Sequence, residues 1–203
     1  HFTTYMNNES LPVKLILASG SQYRSLLLQR LGLPFDCHPP DIDESGLEDE
    51  SPLQQVERLA SAKAAAMCRA HPAAVVIGSD QLAVFDGLPI GKPGSHQRAR
   101  EQLCAFSVRT IEFLTAVTIL APASGFEGSH TDSTLVRFRE LQDDDIERYL
   151  LRERPYDCAG SFKAEALGIT LFDSISSEDP TALLGLPLIR TAGLLRQAGF
   201  SLP

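Results

Sequence analysis

The chain has 203 residues, 43% of them hydrophobic, with 26 acidic against 18 basic side chains and a formal net charge of -8. That length and apolar content suit one domain, or two small lobes sharing a sheet, around a well-buried core. The acidic balance argues against broad contact with nucleic acid or an anionic membrane, since both need a basic face, but it leaves room for a small anionic ligand in a locally basic pocket.

Residues 1–12, with HFTTY ahead of Met6, read as a vector-derived remnant and flexible N-terminus, which leaves residues 13–203 as a single folded unit. VKLILA at 13–18 reads as a short buried strand, and SGSQYR after it as a polar turn. The turn feeds a helical run, SLLLQRLG, that Gly32 stops, with Pro34 beyond. A helix N-terminus placed after a strand presents free backbone N–H groups and a partial positive charge, which favour anions.

SPLQ at 51–54 has the form of a capping box with proline at the first helical position, predicting a helix to about Arg69. Leu53, Val56, Ala60, Ala64 and Met67 make its apolar stripe, and Lys63 falls beside that stripe instead of on the solvated face. VVIGSDQLAV at 75–84 reads as a strand, followed by a turn at Asp86-Gly87, then IGKPGS and a helix over 95–106. A long β run at 108–120 is joined through 125–128 to an alternating strand at 133–140. LQDDDIERYLLRE reads as an acid-opened helix, CAGSFKAEALGITLF as loop and strand, and LPLIRTAGLLRQAG as a closing helix capped by Gly199. Helices and strands interleave, so the class is α/β or mixed.

Cys37, Cys68, Cys104 and Cys158 stand far apart with no C-x-x-C pair, and read as reduced thiols of a cytoplasmic protein. No apolar run approaches the ~20 residues of a membrane span. No charged-then-apolar leader opens the chain. The Walker A, G-x-G-x-x-G, G-x-S-x-G and H-E-x-x-H patterns are all missing, and the histidines are scattered.

The chemistry therefore rests on lone charges. Asp80 lies among residues that want burial, and an unpaired carboxylate there costs several kcal/mol, so it needs a hydrogen-bond donor, a cation or a metal. Arg24, Lys63, Lys92 and Lys163 are cations set in turns or on apolar helix faces, and DIDE at 41–44 clusters carboxylates. Bases with backbone N–H groups bind phosphates, while carboxylates hold a hard divalent ion, so together they point to a metal-assisted phosphate site. Taken singly, each has a plainer reading: Lys63 snorkelling, Arg24 paired with a surface acid, DIDE as a solvated loop.

The segments LASGSQYRSLLL, DIDE, RLASAKA, IGSDQ, GKP, CAGSFKAEALGITLF and LLGLPL occur in the order of the Maf nucleotide pyrophosphatases, which the chain resembles from about Lys14 to its C-terminal helix. The resemblance implies a Maf/ITPase-like fold, a mixed twisted sheet flanked by helices with a cleft between two lobes. It implies metal-dependent cleavage of a nucleoside triphosphate between the α and β phosphates, using Mg²⁺ or Mn²⁺. Asp80 falls on the family's catalytic aspartate, and Ser19, Arg24, Glu44, Lys63 and Lys92 on its polar pocket. Lys163 joins the cations expected to hold the triphosphate, and Glu44 with Asp80 the expected metal ligands.

Gln81 and Glu165 stand where dTTP/UTP-directed members carry threonine and glutamine, so the chain resembles the branch acting on 7-methyl-GTP. Tyr23 is the stacking candidate for the base, at a position where that branch tends to have tryptophan, and Gln22 replaces the family's usual proline. Competing readings are a house-cleaning pyrophosphatase for other modified or pyrimidine triphosphates, and a nucleotide-binding regulator of cell division. Members often form homodimers, so a homodimer is the expected assembly.

Overall fold

The structure, a computed structural model, describes residues 13–203. The reading of residues 1–12 lies outside the described residues. The strands are β1 (Leu15–Ala18), β2 (Asp36–Cys37), β3 (Val75–Phe85), β4 (Leu88–Ile90), β5 (Thr110–Ala121), β6 (Phe126–Phe138) and β7 (Phe172–Ser176). The helices are α1 (Gln22–Gln29), α2 (Pro52–Ala70), α3 (His96–Phe106), α4 (Asp143–Glu153) and α5 (Leu188–Gln197). One sheet runs in the order β2-β1-β3-β5-β6-β7, and β4 also pairs with β3. Pairing is parallel among β1, β2 and β3 and antiparallel elsewhere, giving the mixed α/β sheet expected.

Strand alternation sends the central strand's side chains to two different layers. Val76, Val84 and Ala116 pack with Ile16, Val56, Ala60 and Ala64 on the α2 side. Val75 and Ile77 pack with Leu27, Leu186 and Leu195 on the α1 and α5 side. A further core, built on Phe106, Phe113, Phe138 and Phe162, joins α3 and α4 to the far end of the sheet. α2 lies against β3 at backbone distance, because Gly78 has no side chain: a Cβ there would fall 2.1 Å from the Ala60 carbonyl oxygen.

α2 is set by its ends. Ser51 accepts from the Gln54 amide while Gln54 reaches back to the Ser51 amide, and Pro52 opens the first turn. Asp86 and Gly87, both at positive φ, make the tight hairpin between β3 and β4.

Several local expectations are corrected. α1 starts at Gln22, with the Ser21 hydroxyl accepting from the Arg24 amide, so part of the presumed turn is already helix. Gln22 is the first helical residue, a position that proline also suits. β6 begins at Phe126, running straight through Gly128. Residues 159–171 fold mainly as two short 3₁₀ turns, and the strand starts only at Phe172. Leu53 is exposed, whereas Leu59, Lys63 and Cys68 complete the buried face of α2.

Candidate active site

β1 stops at Ala18, opposite Gly78, and β4 pairs with β3 only from Ala83 onward. Among the described residues, no strand therefore lies beside residues 79–82 of β3 on that side. The gap lies beyond the carboxyl ends of the parallel strands, the usual position of ligand crevices in α/β sheets. The Ser19–Ser21 turn and the start of α1 border it.

Asp80 faces α2, and Lys63 comes from that helix to meet it. Lys63 Nζ donates to Asp80 Oδ1 at 2.7 Å and to Glu44 Oε2 at 3.1 Å. The Lys63 ammonium is thus buried and doubly paired rather than snorkelling. Burial pushes the Asp80 carboxyl above its ordinary range, with a smaller push from Glu44, while Lys63 and then Arg24 oppose the rise. Of DIDE, Glu44 alone reaches this pair; Asp41 and Asp43 are exposed, as a solvated loop would have them. Arg58, one and a half turns before Lys63 on α2, braces that loop by donating to the Glu50 carboxylate and the Ser45 carbonyl.

Ser79 and Gln81 point to the opposite face. Ser79 Oγ donates to the Gly185 carbonyl at 3.0 Å, and Arg24 Nε donates to the same oxygen at 2.8 Å. Ser19 is buried; its hydroxyl accepts from the Ser21 amide at 3.1 Å and from Arg24 Nη1 at 3.5 Å. Desolvation lowers the Arg24 guanidinium's pKa, and the Asp80 and Glu44 carboxylates counter it. Arg24 therefore binds a carbonyl and a hydroxyl, not the surface acid of its plainer reading.

A cleft of about 270 Å³ opens here. Tyr23, Arg24, Gln81, Lys92, Lys163 and Glu165 all line it. Its walls belong to two cores, Phe113 and Phe162 on one side and Leu184 on the other, so a cleft between two lobes is what the fold contains. The Tyr23 hydroxyl is pushed up by burial and next by Glu165, which places these two side chains within electrostatic reach of each other. The structure thus brings six of the expected residues into one cleft. Glu44, Lys63 and Asp80 form a contiguous group outside that lining, linked to the cleft through Arg24, which both carboxylates influence and which Ser19 contacts.

No group of three or more His, Cys, Asp or Glu side chains suited to a metal occurs among the described residues. Lys63 binds Glu44 Oε2 and Asp80 Oδ1, and the second oxygen of each carboxylate is the one that would fit a Mg²⁺-type ion, which is commonly held by one or two carboxylates together with substrate phosphates. Ser79, Thr115 and Gly185 were not singled out from sequence. The signal for Ser79 was the one that drew attention to Asp80, a polar residue in an apolar strand.

A carboxylate buried against lysine, beside a basic cleft at the strand ends of a mixed α/β sheet, defines a protein built to handle an anionic ligand. The profile of the family described as Maf-like protein matches residues 14–198, and the chain belongs to the Maf family. It is 54% identical to a 7-methyl-GTP pyrophosphatase of Polaromonas sp., over 93% of this chain and 86% of the relative. It is 55% identical to a 7-methyl-GTP pyrophosphatase of Xanthomonas campestris pv. campestris, over 94% of this chain and 98% of the relative. Among solved structures, the Staphylococcus aureus Ham1 protein is similar at 15% identity and a TM-score of 0.47, over 63% of this chain and 72% of that one. Among the described residues, no helix is long and apolar enough to cross a membrane.

Proposed function

We propose that residues 13–203 form one catalytic unit that hydrolyses the α–β phosphoanhydride of 7-methyl-GTP, giving 7-methyl-GMP and pyrophosphate. The observation that carries this reading is identity of 54% and 55%, over nearly the whole chain, to relatives bearing that activity in their names. The cleft supports it chemically. Asp80, its charge compensated in part by Lys63, takes a proton from the attacking water as the new oxygen–phosphorus bond forms at the α phosphorus. The bond to the bridging oxygen then breaks and pyrophosphate leaves. Arg24, Lys92 and Lys163 line the cleft as the grip on the triphosphate, and Ser19 steadies Arg24.

Glu44 and Asp80 are the residues that would hold a divalent ion, Mg²⁺ or Mn²⁺, and such an ion would neutralise charge gathering on the phosphate oxygens. At the other end, Glu165 accepts hydrogen bonds from the guanine N1–H and exocyclic amine, and Tyr23 offers its ring to the cationic methylated base. Gln81 lines the same cleft and belongs to the specificity set. A cytoplasmic location and a homodimer are parts of the same proposal; light scattering tests the second. Hydrolysis in heavy-oxygen water tests the site of attack: label in 7-methyl-GMP supports the reading, and label in pyrophosphate overturns it.

A further inference from the structure

Thr115 sits in the middle of β5, opposite Gln81 of β3, and is completely buried. It is one of few buried polar side chains on that face of the sheet that the proposed chemistry does not use. Its hydroxyl is fully engaged. It donates to the Ala182 carbonyl at 3.0 Å and accepts from Gln81 Nε2 at 3.0 Å. Gln81 Nε2 in turn approaches the Ala182 carbonyl at 3.1 Å and the Leu183 carbonyl at 3.0 Å.

Both side chains thus hold one short turn, residues 182–184, against the sheet. The turn ends on Gly185 at φ 112°, a backbone conformation costly for any residue with a Cβ. That conformation delivers the Gly185 carbonyl to Arg24 Nε at 2.8 Å and to Ser79 Oγ at 3.0 Å. With Nε and Nη1 engaged by Gly185 and Ser19, Nη2 of Arg24 has no protein acceptor among the described residues. Arg24 itself lines the cleft. Where its guanidinium sits is therefore fixed by a carbonyl whose position is fixed by the turn.

We propose that Thr115 is a positioning residue for phosphate binding, acting through the 182–185 turn and the Gly185 carbonyl to place the Arg24 guanidinium in the cleft. The proposal rests on the reading above that Arg24 grips phosphate. It extends to Gln81, which contributes to selectivity by holding this turn as well as by lining the cleft. Valine at 115 would keep the volume while removing the hydrogen bonds. It would take away one of the two donors at the Ala182 carbonyl and one of the three acceptors around Gln81 Nε2, leaving the turn tied to the sheet by Gln81 alone at this point and looser for it.

The test uses the full chain as Thr115→Val and Thr115→Ser, with Thr115→Ala replacing the valine variant if that one does not fold. Two readouts are taken. The first, in ligand-free protein, is solvent exchange of the Arg24 Nε–H by NMR, a probe that general loss of stability measured by melting does not reproduce. Exchange in Thr115→Val should be faster by about tenfold, with Thr115→Ser close to the parent. The second is KM for 7-methyl-GTP and the Kd of inorganic pyrophosphate, both expected to rise several-fold in Thr115→Val with kcat changed less. Equal Arg24 exchange in all three proteins overturns the proposal whatever the substrate. Faster exchange in Thr115→Val, with a parent that does not turn over 7-methyl-GTP, sinks the functional reading alone and leaves the positioning role standing. Altered exchange with unchanged KM and Kd refutes the link to phosphate binding.

Discussion

Lys63 Nζ and Asp80 Oδ1 lie 2.7 Å apart, the two residues 6% and 5% exposed, one on α2 and the other on the central strand. The strand's apolar run makes this carboxylate costly to bury, and the helix supplies the cation that compensates it. Glu44 shares the same ammonium from a solvated loop, so one lysine ties three segments together. Asp80→Asn keeps the volume and removes the base. Turnover should fall by about 10²–10⁴-fold while nucleotide binding by calorimetry is retained. Near-normal pyrophosphate release from the variant would take the catalytic role away from Asp80.

Two carboxylates, Asp80 and Glu50, should contribute to stability with opposite pH dependence. Burial raises Asp80 above its ordinary value of 3.8, so in the window just above that value the folded chain holds a proton that the unfolded chain has lost. Its contribution to stability is full below this window and declines as pH rises through it. Glu50 is the reverse: the Arg58 guanidinium lowers it from 4.5 to about 2. Its contribution is full above 4.5 and fades as pH falls toward 2. Glu50→Gln should therefore flatten the acid-side loss of melting temperature, and Lys63→Met should move the acid limb of the pH–rate profile upward by leaving Asp80 less compensated. An unmoved limb would separate Asp80's ionisation from catalysis.

Gly78 is the contact that lets Lys63 reach Asp80. A Cβ at this position would meet backbone, 2.1 Å from the Ala60 oxygen and 2.7 Å from the Ala64 nitrogen, and neither can rotate away. Gly78→Ala should cost about 3 kcal/mol or more in denaturant unfolding. It should also lower turnover in whatever fraction stays folded, since α2 must lift from β3. An unchanged unfolding midpoint would show that the helix has slack to give.

Glu165 and Tyr23 face the same cleft, where a carboxylate and an aromatic ring suit a cationic guanine. Glu165→Gln keeps an acceptor but loses the charge and the second acceptor. The kcat/KM ratio of 7-methyl-GTP to GTP should fall by about tenfold. Equal losses on both nucleotides would remove Glu165 from base selection.

Much of this site could be read before any coordinates, for reasons that differ by residue. The Ser51 and Gln54 pair and Pro52 fixed the start of α2, because capping is local chemistry, and the helix runs to Ala70 against an expected end near Arg69. Asp80 stood out because its neighbours are apolar. The start of β6 was missed because EGSHTDST carries few apolar residues; its pairing comes from β5 alongside, and its Gly128 packs against Leu194 and Phe126. Leu53 was assigned to the core on spacing alone, but it is 46% exposed, and burial on α2 begins only at Val56. That Lys63 would find Glu44 nineteen residues earlier, or that Gly185 would hold Arg24 from the far end of the chain, depends on tertiary contacts that no local pattern encodes.

The most direct test is a nucleotide panel read by pyrophosphate release, comparing 7-methyl-GTP with GTP, UTP and dTTP, with Mg²⁺ or Mn²⁺ and with EDTA. The expected result is highest kcat/KM on 7-methyl-GTP and loss of turnover in EDTA that either metal restores. Faster turnover of UTP or dTTP, or full activity in EDTA, would contradict it.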